Sequence, residues 1–119
     1  MRILILAIAL TALAPLTPVH AATPHMVTIF SNGYRDSDTG QGVTNVAVGT
    51  TVTWAWENGA HSVTQGVSGA TPTDPLGGAS SGTRSAGLAA PYSITFGTAG
   101  DFVYYCSVHA AMRGIVHVA

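Results

Sequence analysis

Polar and apolar residues alternate along most of this chain. In HMVTIF (25–30), Val27 and Ile29 share one face while Met26, Thr28 and Phe30 take the other. Period-two alternation over such a run predicts a strand with one face buried. TNVAVGTTVTWAWEN predicts a strand, a turn at Gly49 and a second strand on which Val52, Trp54 and Trp56 share a face. HSVTQ reads as a further short strand. YSITF aligns Tyr92, Ile94 and Phe96, DFVYYC aligns Phe102, Tyr104 and Cys106, and GIVHV closes the chain. The turn signals SNG, ENGA, GTAG and MRG separate these runs. No stretch after residue 22 carries helical spacing. About seven or eight short strands with glycine-rich turns predict an all-β protein, an antiparallel β-sandwich.

Two stretches interrupt the alternation. Residues 31–42, SNGYRDSDTGQG, are expected to form a polar loop. Asp36, Asp38 and Gly40 hint at a calcium loop, but Gln41 stands where that loop needs glycine and Ala47 where it needs glutamate. Side-chain turns by aspartate are the better reading. Residues 66–90 are rich in Gly, Ser, Ala and Thr and predict a long surface loop.

The start of the chain has a different character. Met1 and Arg2 precede an apolar run from Ile3 to Leu16, followed by PLTPVHAA with small residues at Val19 and Ala21. A positive start, a short apolar core and a small-residue site are the marks of a secretory signal peptide. The run is shorter than the ~20 residues of a spanning helix. The expectation is a cleaved leader over 1–21 and a single domain over 22–119, periplasmic or extracellular, with no membrane anchor in the mature chain. Cleavage one residue later, after Ala22, is equally compatible.

Composition narrows the partners. There is no lysine, and the arginines beyond the leader are Arg35, Arg84 and Arg113. No basic track exists for phosphates, so nucleic acid is not an expected partner. The one cysteine, Cys106, rules out an internal disulfide in a compartment where disulfides are normal. A bare exposed thiol would oxidise there, so it must be buried or occupied.

YYCSVHAAMRG (104–114) offers an occupant. Cys106 shares parity with Phe102 and Tyr104 and so ends a strand facing inward. The tight loop after it lets Cys106, His109 and Met112 curl around one point. His61 follows the turn ENGA, and in a sandwich that turn can meet the loop at one end. A thiolate, two imidazoles and a weak thioether make a trigonal copper site with an axial methionine. The thiolate and thioether suit Cu(I), and the imidazoles suit both oxidation states. Other readings weigh less. A buried cysteine is often merely a small hydrophobe. A Cys–His nucleophile wants a base oriented by a third group, which a histidine three residues on in the same loop does not provide. Zinc would accept the cysteine and histidines but gains little from a thioether. His25 follows Pro24, which lacks the amide N–H an N-terminal copper chelate would use. His117 alternates with Val116 and Val118 and is expected to face solvent.

The stretches VGTTVTWAWENGAHSVT and PYSITFGTAGDFVYYCSVHAAMRGIVHV, in that order, resemble the cupredoxins, the small blue copper proteins, in their plastocyanin, pseudoazurin and amicyanin branch. The likeness runs from about residue 43 to the end, apart from the 66–90 loop. Two residues between Cys106 and His109, and two between His109 and Met112, match the short amicyanin-like ligand loop. The resemblance implies a Greek-key sandwich, one copper ion cycling between Cu(I) and Cu(II), His61, Cys106 and His109 as equatorial ligands, and Met112 as the axial one. It also implies electron shuttling between larger redox proteins. Two positions depart from the family pattern. Ser62 stands where asparagine is common after the first histidine, and Val108 stands where proline is common in the ligand loop.

These readings favour a monomeric one-electron carrier whose redox donor and acceptor dock near His109 and Ala110. A periplasmic copper-delivery protein would use the same ligands. An enzyme is disfavoured, because a catalytic copper centre in this superfamily needs further histidine motifs and no His-x-His pair occurs.

Overall fold

The computed structural model describes residues 24–67 and 79–119. The expected leader and the middle of the 66–90 stretch lie outside the described residues. The described residues form ten strands: β1 (His25–Phe30), β2 (Gly33–Asp36), β3 (Val43–Val46), β4 (Thr51–Trp56), β5 (Ala60–His61), β6 (Thr64–Gln65), β7 (Arg84–Ser85), β8 (Tyr92–Thr95), β9 (Gly100–Tyr105) and β10 (Arg113–Val118). Among the described residues there is no helix.

Two four-stranded sheets, β2-β1-β4-β8 and β3-β10-β9-β6, face each other, and β5 and β7 form a small third sheet. The alternation read from the sequence is what lets the sheets close. Val27, Ile29, Val52 and Trp54 point inward from one, and Phe102, Tyr104, Val116 and Val118 from the other, all buried. Each such aliphatic or aromatic side chain taken from water contributes about 1.5–3 kcal/mol.

Five of the seven strand pairings are antiparallel, while β1–β4 and β10–β3 are parallel. A parallel pair needs a crossover. For β1 and β4 it is the excursion through β3, which belongs to the opposite sheet. The expected turn at Gly49 makes the return: its φ is +91° and its N–H donates to the Phe96 carbonyl at 2.7 Å.

Three local expectations are corrected. Residues 31–42 are not all loop, because Gly33–Asp36 forms β2, paired with β1 as Val27↔Asp36 and Ile29↔Tyr34. The stretch reads as polar because one of its two inward side chains is an aspartate. HSVTQ is not one strand. It splits at Ser62 and Val63, sending His61 to the small sheet and Thr64 to β6 beside β9. MRG is not a turn, since Gly114 sits inside β10 opposite Tyr104. A Cβ there would come within 2.2 Å of the Tyr104 ring, so glycine makes room for the aromatic.

Candidate metal centre

The four residues singled out by spacing come from two segments at one end of the sandwich. Cys106 follows β9 directly, and its chain is tied back at once. The Cys106 N–H donates to the Met112 carbonyl at 3.0 Å, and the Met112 N–H to the His109 carbonyl at 2.8 Å. These two bonds close 106–112 into a compact loop ahead of β10. Cys106 and Met112 are buried and His109 is exposed.

His61 arrives from the other segment. The turn between β4 and β5 passes through Gly59, at φ +74°, whose missing side chain clears space for the imidazole. A Cβ on Gly59 would lie 2.7 Å from His61 Nε2. The His61 carbonyl accepts the Trp56 indole N–H at 3.0 Å, and its backbone pairs with Arg84 of β7.

The resulting geometry is that of a metal-binding cluster. His61 Nδ1 lies 3.9 Å from the Cys106 sulfur and His109 Nδ1 3.8 Å from it. The three donor atoms fall within 4.8 Å of one another. Metal–sulfur and metal–imidazole bonds of about 2.3 and 2.0 Å would set trigonal ligands roughly 3.7 Å apart. The donors therefore fit a single ion between them. The His61 pKa is held below its ordinary value, first by burial and then by the facing His109, while the Asn58 backbone opposes the shift. That backbone contact falls short of a full hydrogen bond, and Nε2 has no partner among the described residues. A neutral imidazole is the form that ligates.

Ser62 braces the two segments. Its N–H faces the thiol at 3.5 Å, its hydroxyl meets that of Ser107 at 2.9 Å, and it accepts the Ser107 N–H at 2.9 Å. The short side chain thus bonds to the neighbouring ligand loop. Beneath it, Tyr34 donates to the Ser62 carbonyl at 2.6 Å. Over the centre lies an open hollow lined by Ser31, Asn58, Gly59, Ala60, His61, Val108 and His109, with no charged side chain among them.

A second group, His25, Asp36 and Asp38, also has donor atoms close together. Its chemistry is already satisfied. One Asp36 oxygen accepts the N–H groups of Asp38 and Thr39, and the other meets the Thr44 hydroxyl at 2.6 Å and His25 Nε2 at 2.5 Å. This is the expected aspartate turn extended into a buried hub. Sequence reading found the turn but not its partners, which no local spacing announces. His117 is half-exposed, as expected, and bonds Asp101 at 2.6 Å.

Among solved structures, the oxidised state of a proline-to-alanine variant of amicyanin is 32% identical, covers 81% of this chain and 82% of its own, and has a TM-score of 0.60. A reduced Cu(I) form of another amicyanin variant is 31% identical, covering 85% of this chain and 87% of its own, with a TM-score of 0.62. The chain belongs to the cupredoxins. Amicyanin from Paracoccus versutus shares the fold at 24% identity, covering 87% of this chain and 86% of its own, with a TM-score of 0.61. No protein-family model and no curated protein matches the sequence. Within this cupredoxin the long loop is the region that sequence patterning served least. Its residues 79–90 return to lie beside His61, through Ser81 N–H to the Val63 carbonyl at 2.9 Å and Ala86 N–H to the Gly59 carbonyl at 3.0 Å.

Proposed function

We propose that this cupredoxin binds one copper ion and carries single electrons between redox proteins in the periplasm or outside the cell. His61, Cys106, His109 and Met112 would hold the ion. The observation that carries the reading is the pair of Nδ1–sulfur separations, 3.9 and 3.8 Å, around a buried thiol. Copper is preferred to zinc because the donor set adds a thioether to a thiolate.

When bound, the ion supplies a one-electron couple between Cu(I) and Cu(II). The protein's own residues do the rest. Strand β9, the bonds closing 106–112 and the Ser62 brace fix the donors in advance, which limits rearrangement when the charge changes. Burial of Cys106 and Met112 keeps water from the sulfur ligands. His109 alone of the four is exposed, so its imidazole edge is the way in and out for the electron. The sequence has no His-x-His pair for a further, catalytic copper centre, which fits a carrier better than an enzyme. Support for export comes from the leader pattern, and no described helix is long and apolar enough to cross a membrane.

The test is a visible spectrum of the protein loaded with Cu(II). One equivalent should give an intense thiolate-to-copper band, and Cys106→Ser should abolish it, because a hydroxyl cannot supply that donor. A serine variant that stays intensely coloured would overturn the ligand assignment.

A further inference from the structure

Among its described residues the long loop brings one charged side chain, that of Arg84, to the flank of the centre. Arg84 Nε donates to the Ser81 carbonyl at 3.0 Å and Nη1 to the Ala90 carbonyl at 2.8 Å, with Pro91 at 3.5 Å. One guanidinium thereby ties both flanks of the loop together. The same group lies over two aromatic rings, its Cζ 5.4 Å from the centroids of both Trp56 and Tyr92. Among the described residues no carboxylate pairs with it. Among the described residues, carbonyls and ring faces alone hold this cation.

Its reach to His61 takes two routes. Along the backbone, Arg84 is the ladder partner of His61 in the β5–β7 pair. Through its side chain, it roofs Trp56, whose indole N–H holds the His61 carbonyl at 3.0 Å. The main chain of this buried ligand is thus gripped by the backbone of Arg84 and by the indole that its guanidinium covers. Only an arginine meets these demands together. Its planar fork spans two carbonyls, and its flat face stacks on rings, whereas lysine offers a compact charge on a flexible stem.

We propose that Arg84 is a positioning residue for the metal centre, setting the place of His61 through Trp56 and the β5–β7 pair. The inference rests on the metal-site reading above. It explains why a chain with so few cations places one beneath a Gly/Ser loop, and it gives that loop a task in tuning the site. Groups one contact removed from a ligand, as the Trp56 indole is here, commonly change metal affinity by about 10–100-fold when replaced.

The experiment compares wild type with Arg84→Met, Arg84→Lys and Trp56→Phe, all copper-loaded. Arg84→Met should weaken copper binding about tenfold or more in competition with a chelator and should shift the thiolate-to-copper band. Arg84→Lys should recover part of both effects. Trp56→Phe keeps a ring under the guanidinium but removes the indole donor, so it should weaken copper while leaving the loop closed. In the metal-free proteins the His61 ring resonances should move in Arg84→Met, a readout that does not depend on copper. A colourless loaded wild type would overturn the copper reading alone, and the His61 resonances would still judge Arg84. The positioning role is overturned if Arg84→Met unfolds at lower denaturant yet keeps copper affinity, band and His61 resonances unchanged. It is equally overturned if Trp56→Phe leaves copper affinity at the wild-type value.

Discussion

At Ser62 the two segments of the centre meet through one small side chain: its oxygen accepts the Ser107 N–H at 2.9 Å while its own N–H faces the thiol at 3.5 Å. These two roles separate cleanly under mutation, because alanine keeps the N–H and loses the oxygen. Ser62→Ala should therefore remain coloured with copper while losing about 1–3 kcal/mol of stability, the cost of stranding a part-buried N–H. Urea unfolding of the metal-free protein reads the loss, and the visible spectrum reads the retained colour. At this scale the sequence was informative where chemistry is local. The spacing of Cys106 and His109 survives as geometry, their donor atoms 3.8 Å apart, because one short loop fixes it. Trp56 and Arg84 stayed hidden as supports of His61, since an indole five residues upstream and a guanidinium across a small sheet leave no mark in spacing.

Strand β2 shows how a polar residue can conceal an element. Tyr34 and Asp36 both point inward, but alternation with a buried aspartate looks like loop until its partners are known. Burial alone would raise the Asp36 pKa. The Thr44 hydroxyl, the backbone N–H groups of Thr39 and Asp38, and His25 outweigh it and hold the carboxyl below its ordinary value. A carboxylate with a depressed folded-state pKa adds stability that is fully present above its unfolded value, near 3.9. That contribution is lost as pH falls through the folded value. Stability of the metal-free protein should thus hold down to about pH 4 as far as this group decides it, then drop steeply. Asp36→Asn should cost about 3 kcal/mol at neutral pH, because an amide cannot accept on both sides as the carboxylate does. The variant should also lose much of the steep acid step. Chemical denaturation across pH 7 to 3 checks both, and an acid step of undiminished size in the variant would place its origin elsewhere. The other element-scale surprises have the same root. Gly114 punctuates no turn because its space belongs to Tyr104, and HSVTQ breaks because His61 and Thr64 are claimed by different sheets.

Across the whole molecule, the alternation of apolar residues specified two facing sheets, and the loop lengths specified which end carries the metal ligands. What it left open was how that end looks to a partner. The hollow over the centre is lined by Ser31, Asn58, Gly59, Ala60 and Val108 around the exposed His109, and none of these side chains is charged. Two copies meeting face to face there would bring their His109 edges together without electrostatic resistance, so electron self-exchange reports on this face with no other partner required. Wild-type self-exchange, followed by NMR line broadening in mixtures of the oxidised and reduced protein, should be almost independent of ionic strength. Ala110 is exposed in the ligand loop beside His109. Ala110→Glu would set like charges against each other in the encounter while leaving every donor atom in place. Self-exchange should then slow by about tenfold at low salt, and added salt should restore part of it, because screening weakens repulsion between exposed charges. The visible spectrum should not change. A variant that exchanges electrons as fast as wild type at low salt would move the docking face away from His109, and the loop carrying exposed Leu88 would be the next surface to charge.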